Sequence, residues 1–205
     1  LIGSTTPGDS TSWNDLSEEG DYAIAAIQGI RNASSETDSY ILSGSGTQGE
    51  TSQVIGVVSL GAADGSSEWF SVNAATAFGG SSSALTSCYG PEQLDDNTIR
   101  LVGSYNSNGD FPPTDTSAFI YTGAIDQANG TTVGFTEYQH PGATWTFFHS
   151  TQEGLVVGNW DDTVTIPDTN RPIIGTGKAI IYEVSSGLSI ADIAYPGSKS
   201  TTAYG

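Results

Sequence analysis

The chain has 205 residues, with 5 Lys and Arg against 23 Asp and Glu, a net charge of −18 and a pI near 4.1. This length buries one sizeable core, and a surface this acidic repels phosphate backbones and anionic headgroups, which sets aside nucleic acid and anionic membranes as partners. The longest apolar runs, at 23–27 and 178–184, are strand-sized, so no membrane insertion is predicted.

Residues 1–20 are polar and aperiodic and read as an extended arm, with Trp13 and Leu16 as docking points. From there, short runs rich in Val, Ile, Tyr, Phe and Thr alternate with Gly, Pro, Asn and Asp punctuation, the pattern of a pleated, half-buried surface. In chain order they are YAIAAIQGI (22–30), SYILSGSG (39–46), QVIGVVSL (53–60), EWFSV (68–72), TIRLVGSY (98–105), SAFIYTGAI (117–125), TVGFTEY (132–138), TWTFFHS (144–150), LVVGNW (155–160), KAIIYEV (178–184) and LSIADIAY (188–195). No segment sustains a 3.6-residue apolar period, and PEQLDD at 91–96 makes at most one helical turn.

Several runs recur in order. LVGSYN at 101–106 is answered by VVGNWD at 156–161, an offset of 55, and more faintly by LSGSG at 42–46. SAFIYTG is answered by KAIIYEV. HPGATWTFFHS at 140–150 is answered by YPGSKSTTAYG at 195–205 and, more loosely, by FGGSSSALTSCYG at 78–90. The reading is a single all-β repeat domain with units at about 39–90, 98–150 and 154–205, in which TWTFFHS is the fourth strand of the second unit. Four-stranded units that cannot bury their apolar faces alone predict a propeller-like array, with a β-trefoil ranked second and a β-sandwich third. Three units do not close a ring, so the strand at 22–31, a second subunit or further sequence completes it.

The sequence x-V-G-x-[YW], then A-F-x-Y, then P-G-A-T resembles the HAF-type repeat of extracellular bacterial proteins over about 98–205, with 39–90 as a degenerate copy. The resemblance implies a secreted, propeller-like β fold and carries no catalytic residues. Composition points the same way, being Ser/Thr/Gly-rich, Lys-poor and Met-free, with a first residue, Leu1, like that left by leader removal. Cys88 is the only cysteine, so no internal disulfide forms. Asn32 and Asn129 open N-x-S/T sequons and are the candidate glycosylation sites.

GSGTQG at 44–49 fits G-x-G-x-x-G but leads into a strand, not the helix that phosphate binding requires. Two histidines and one cysteine do not provide the clustered Cys and His spacing of a zinc site. His140 reads as a turn residue and His149 as a residue of an exposed or inter-unit face. Oxygen-rich loops at 106–110 and 159–168 make calcium the cation to consider, with Asn106, Asn108, Asp110, Asp161 and Asp162 as ligands; Asn, Asp and Gly are equally what turns demand. Tyr105 and Trp160 share one repeat position beside these loops. With Asn106 and Asp161 they form the candidate carbohydrate site, a flat ring to stack on a sugar and amide or carboxylate groups to bind its hydroxyls. Tyr121 and Tyr182, in apolar contexts, read as filling between units. The expected function is a secreted non-catalytic binding or structural module, with carbohydrate as the favoured ligand. A glycan-active hydrolase using two of Asp110, Glu137, Glu153, Asp161, Asp162 and Glu183 is one alternative. An assembly protein joined into homo-oligomers through open β edges is another.

Overall fold

A computed structural model describes residues 2–4, 12–14, 18–19, 22–33, 39–50, 53–62, 67–81, 83–109, 115–166 and 171–205. It is an antiparallel all-β structure. Strands β1 (Ile2–Ser4) and β2 (Ser12–Asn14) pair with each other. A five-stranded first sheet runs β3 (Glu18–Glu19), β4 (Tyr22–Asn32), β5 (Ser39–Gln48), β6 (Ile55–Ala62) and β7 (Trp69–Val72). The second holds β8 (Leu85–Gln93), β9 (Thr98–Asn106), β10 (Ser117–Ala124) and β11 (Phe135–Tyr138). The third holds β12 (Trp145–Gln152), β13 (Leu155–Ile166), β14 (Arg171–Glu183) and β15 (Leu188–Ile193). Within every sheet the strand order follows the chain, because each hairpin returns the chain beside the strand it has just left.

Alternation along the strands sends successive side chains to opposite faces, and the second sheet therefore has one face toward the first sheet and one toward the third. Ile41, Val58 and Val72 of the first sheet pack on Cys88, Ile99, Leu101, Tyr105, Phe119 and Tyr121 of the second. Val102, Ala118 and Ile120, on the other face of the second sheet, pack on Phe148, Val156, Ile180 and Tyr182 of the third. Phe119, Tyr121 and Phe148 are fully buried, each contributing roughly 2–3 kcal/mol of apolar transfer.

The equivalence of LVGSYN and VVGNWD holds in register: Gly103 faces Phe119 across the β9–β10 ladder as Gly158 faces Ile180 across β13–β14, and Gly44 faces Val57 in the first sheet. The repeated glycine has a steric cause. A Cβ at Gly44, Gly103 or Gly158 would strike the carbonyl oxygen of Ala26, Ser87 or Phe147, each on the first strand of its own sheet. Those strands are irregular at the same place, with register shifts at Ile27/Gly29, Cys88/Pro91 and Phe148/Ser150. The bulge pushes backbone toward the second strand, and only glycine leaves room for it.

The sheets are phased one strand earlier than the sequence units. TWTFFHS forms β12, which opens the third sheet and pairs with β13; it is not the fourth strand of the second. The Pro141-Gly142 turn is a crossing between sheets and not a hairpin: Thr116 N–H donates to Thr144 O at 3.3 Å and Thr146 N–H to Thr116 O at 2.8 Å. PEQLDD makes no helical turn. Its first three residues complete β8, and Asp95 Oδ1 accepts the Asn97 and Thr98 amides to close the β8–β9 turn. The short helices lie elsewhere, at Ala74–Ala77, capped by the Asn73 side chain on Thr76 N–H, and at Ile125–Gln127. The polar stretch after Trp160 is strand as far as Ile166, pairing with Arg171–Ile174 in an extended hairpin. Of the N-terminal arm, Trp13 lies in β2, and Leu16 falls outside the described residues.

Candidate functional site

Tyr105 and Asn106 end β9, and Trp160 and Asp161 hold the matching places on β13. Tyr105 is buried between the first two sheets. Its ring stacks on Phe78 with centroids 5.0 Å apart, and its hydroxyl donates to Glu137. Burial, then the adjacent Glu137 carboxylate, push the phenol pKa upward. Asn106 is buried and organises the turn that follows: Oδ1 accepts the amides of Asn108 (3.0 Å) and Gly109 (2.6 Å), and Nδ2 donates to Asp115 O (2.6 Å). Asn108 is exposed, and Asp110 lies outside the described residues.

Trp160 is half-buried, its indole stacked on His140 at 4.5 Å and 6° with Lys178 above the ring. Asp161 is buried. It accepts hydrogen bonds from Asn159 Nδ2 and from Ser200 Oγ (2.9 Å), and Asn159 in turn accepts from His149 Nε2 (2.6 Å). Asp162 beside it is half-buried. Among the described residues no three His, Cys, Asp or Glu side chains gather closely enough to hold a metal ion. The side-chain oxygens of Asn106 and Asp161 already accept hydrogen bonds from the chain's own donors.

A second cleft, of about 440 Å³, lies between β11 and β15 and is lined by Tyr138, His140, Ser189 and Asp192. His140 Nε2 stands 3.4 Å from Asp192 Oδ2, while Ser189 Oγ donates to Ile181 O at 3.5 Å. The serine hydroxyl is thus turned to a backbone carbonyl and the histidine to a carboxylate, which is not the pairing of a nucleophile with its base. Of the two sequons, Asn129 is exposed and its amide donates to Ser71 Oγ at 2.6 Å, and Asn32 is exposed at the end of β4.

The larger concavity sits where the first strands of all three sheets meet, a site that strand-by-strand reading did not single out. A Cβ at Gly29 would stand 2.7 Å from Pro91 Cδ and 3.0 Å from Gly90 Cα, and one at Gly90 would stand 2.8 Å from Ser150 Cα. The small residues at these places let β4, β8 and β12 approach closely. Just beyond them, Ile30–Asn32, Pro91–Gln93 and Thr151–Glu153 surround a cleft of about 620 Å³, with Tyr40 on its wall.

The cleft is held by polar contacts across the sheets. Arg31 donates to Ser150 Oγ, joining the first sheet to the third. Glu92 pairs with the partly buried Arg100 at 2.9 Å and accepts the Glu153 amide at 2.6 Å, joining the second sheet to the third. Glu153 and Gly154 form the two-residue turn between β12 and β13, at φ 52° and 82°, in the left-handed region that such a hairpin turn demands. Gln152, Glu153 and Asn32 remain exposed to the opening. The wall thus offers amide donors and acceptors, carboxylates and a tyrosine ring in one concavity. A signal for it existed in the sequence, since IQGIRN, CYGPEQ and FHSTQE fall at matched places of successive first strands, but only the corrected phase reveals it.

The chain matches no known family model, no curated protein and no solved structure.

Proposed function

We propose that the protein is a secreted, non-catalytic carbohydrate-binding module whose sheets form a propeller-like array, with the ligand seated in the cleft between the three first strands. The observation that carries this reading is the convergence of matched first-strand positions on one polar concavity. Its volume is that of a small-molecule site. Exposed amides and carboxylates there suit a ligand with many hydroxyls, each able to donate and accept, and Tyr40 supplies an aromatic surface for a sugar face. A neutral ligand also meets no repulsion from a surface carrying a net charge of −18. The HAF-like repeat pattern supports secretion.

Calorimetric titration with a panel of neutral oligosaccharides tests the proposal. Binding is expected to weaken about tenfold, or about 1.4 kcal/mol, in each of Gln152→Ala and Tyr40→Ala, with the melting temperature of the Gln152 variant unchanged. Trp160→Ala is expected to bind as the parent does. Loss of binding in the Trp160 variant alone would move the site to the β13 end, and absence of binding across the panel would overturn the reading.

A further inference from the structure

Three backbone hydrogen bonds occupy equivalent places: Thr86 N–H to Val54 O (3.0 Å), Thr146 N–H to Thr116 O (2.8 Å) and Thr201 N–H to Gly177 O (3.3 Å). In the first two, the donor belongs to the first strand of the following sheet. The third seats residues 200–205, STTAYG, against the third sheet in the place that such a strand takes. The match continues along the segment. Tyr204 meets His149 with ring centroids 4.4 Å apart, tilted by 35°, at the place where His149 meets Tyr89 edge-on at 5.1 Å. A Cβ at Gly205 would meet the Ser150 side chain, as one at Gly90 meets Ser150 Cα.

Each of the other first strands is paired with a second strand bearing the repeated glycine. Residues 200–205 have no such neighbour among the described residues. The sheet face beneath them is open as well. Val102 and Ile120 of the second sheet are 0% and 3% exposed under the third, and Tyr138 packs with them. Val157 and Ile181, at the matching places of the third sheet, are only half-buried, and Ile193, which matches Tyr138, is 44% exposed.

We propose that residues 200–205, with the face formed by Val157, Ile181 and Ile193, bind an extended strand of a partner polypeptide by β-augmentation. The incoming strand runs antiparallel and needs a glycine opposite the Thr202 carbonyl, the place that Phe147 O holds toward Gly158. An apolar residue two places before that glycine covers the open face, as Leu101 and Val156 cover the sheets that precede their own. The incoming strand is neutral or basic and is not a second copy's, because two copies each carrying −18 repel one another and a copy's own glycine-bearing strands are already paired.

The probe is a synthetic peptide with the sequence of β9, TIRLVGSYN, which carries an arginine and no acid. Titrated into the full chain, it is expected to bind at least tenfold more tightly than its counterpart with alanine in place of the glycine. Thr202→Pro removes an amide donor and fixes φ in the segment; it is expected to abolish peptide binding with the melting temperature unchanged. Equal affinity for the two peptides, or no binding of the glycine peptide at millimolar concentration, overturns the proposal. Self-association of the protein that Thr202→Pro removes would assign the edge to a second copy and overturn the choice of partner.

Discussion

His149 shows how one side chain records its surroundings. It lies on β12 between the rings of Tyr89 and Tyr204, 9% exposed, with Nε2 donating to Asn159 Oδ1. Nδ1 is buried with no partner among the described residues. Protonation would place a second N–H there, with nothing to accept it. Burial accordingly moves the imidazole pKa below its ordinary 6.5, against the smaller upward pulls of Asn159 and Asp161. A folded-state pKa below the unfolded one means that the unfolded chain takes up the proton first. The stabilisation is complete above about pH 6.5 and is lost as pH falls through the folded-state value. Urea unfolding at pH 7.5 and pH 5 is expected to show a larger loss of stability in the parent than in His149→Gln, whose side chain keeps a donor to Asn159 and does not titrate. An equal loss in both would mean that carboxylates alone govern the acid side.

At the scale of strands, the repeated glycine is fixed by crowding between neighbouring backbones. Gly158→Ala would drive a methyl group into the Phe147 carbonyl, a backbone atom that cannot rotate away. A loss of about 3 kcal/mol is expected, at the upper end of overpacking costs. Gly154, four residues earlier, has φ 82° and open space within 4 Å of where a Cβ would stand, so Gly154→Ala is expected to cost only the backbone strain, about 1 kcal/mol. Urea midpoints for the two variants should rank in that order; the reverse ranking would show that turn conformation, not strand crowding, fixes the glycines. This motif was legible because its cause is short-range and always demands the same residue. Strand identity was legible too, since alternation and β-branching are properties of consecutive residues. The phase of the sheets was not, because a Pro-Gly turn reads alike whether it closes a hairpin or, as at Pro141-Gly142, carries the chain to the next sheet. The first-strand cleft went unseen for the same reason. Tyr105 and Trp160 match in sequence, yet one is enclosed by Phe78 and Glu137 and the other stays half-buried beside His140, a difference set by neighbours from other strands.

Over the whole molecule the dominant quantity is charge. Five basic residues face 23 acidic ones, and two of the five are committed to the cleft walls, Arg100 on Glu92 and Arg31 on Ser150. Acids thus outnumber cations more than four to one, and their mutual repulsion is relieved when the chain unfolds and they move apart. Salt opposes that relief: the Debye length falls from about 30 Å at 0.01 M to about 8 Å at 0.15 M, so repulsion across the surface fades while the partly buried Arg100–Glu92 pair is little affected. The melting temperature at pH 7 is expected to rise by several degrees over this range, equally in sodium and choline chloride, because screening depends on ionic strength and not on the cation's identity. A cation bound at Asn106, Asn108, Asp161 or Asp162 behaves differently, since it stabilises the folded chain by mass action on top of screening. Calcium chloride and sodium chloride compared at equal ionic strength separate the two effects. Coincident melting curves leave screening as the whole effect, an excess with calcium that Asp162→Asn removes assigns the ion to strand β13, and a melting temperature indifferent to salt would mean that the acids are spaced too widely to repel.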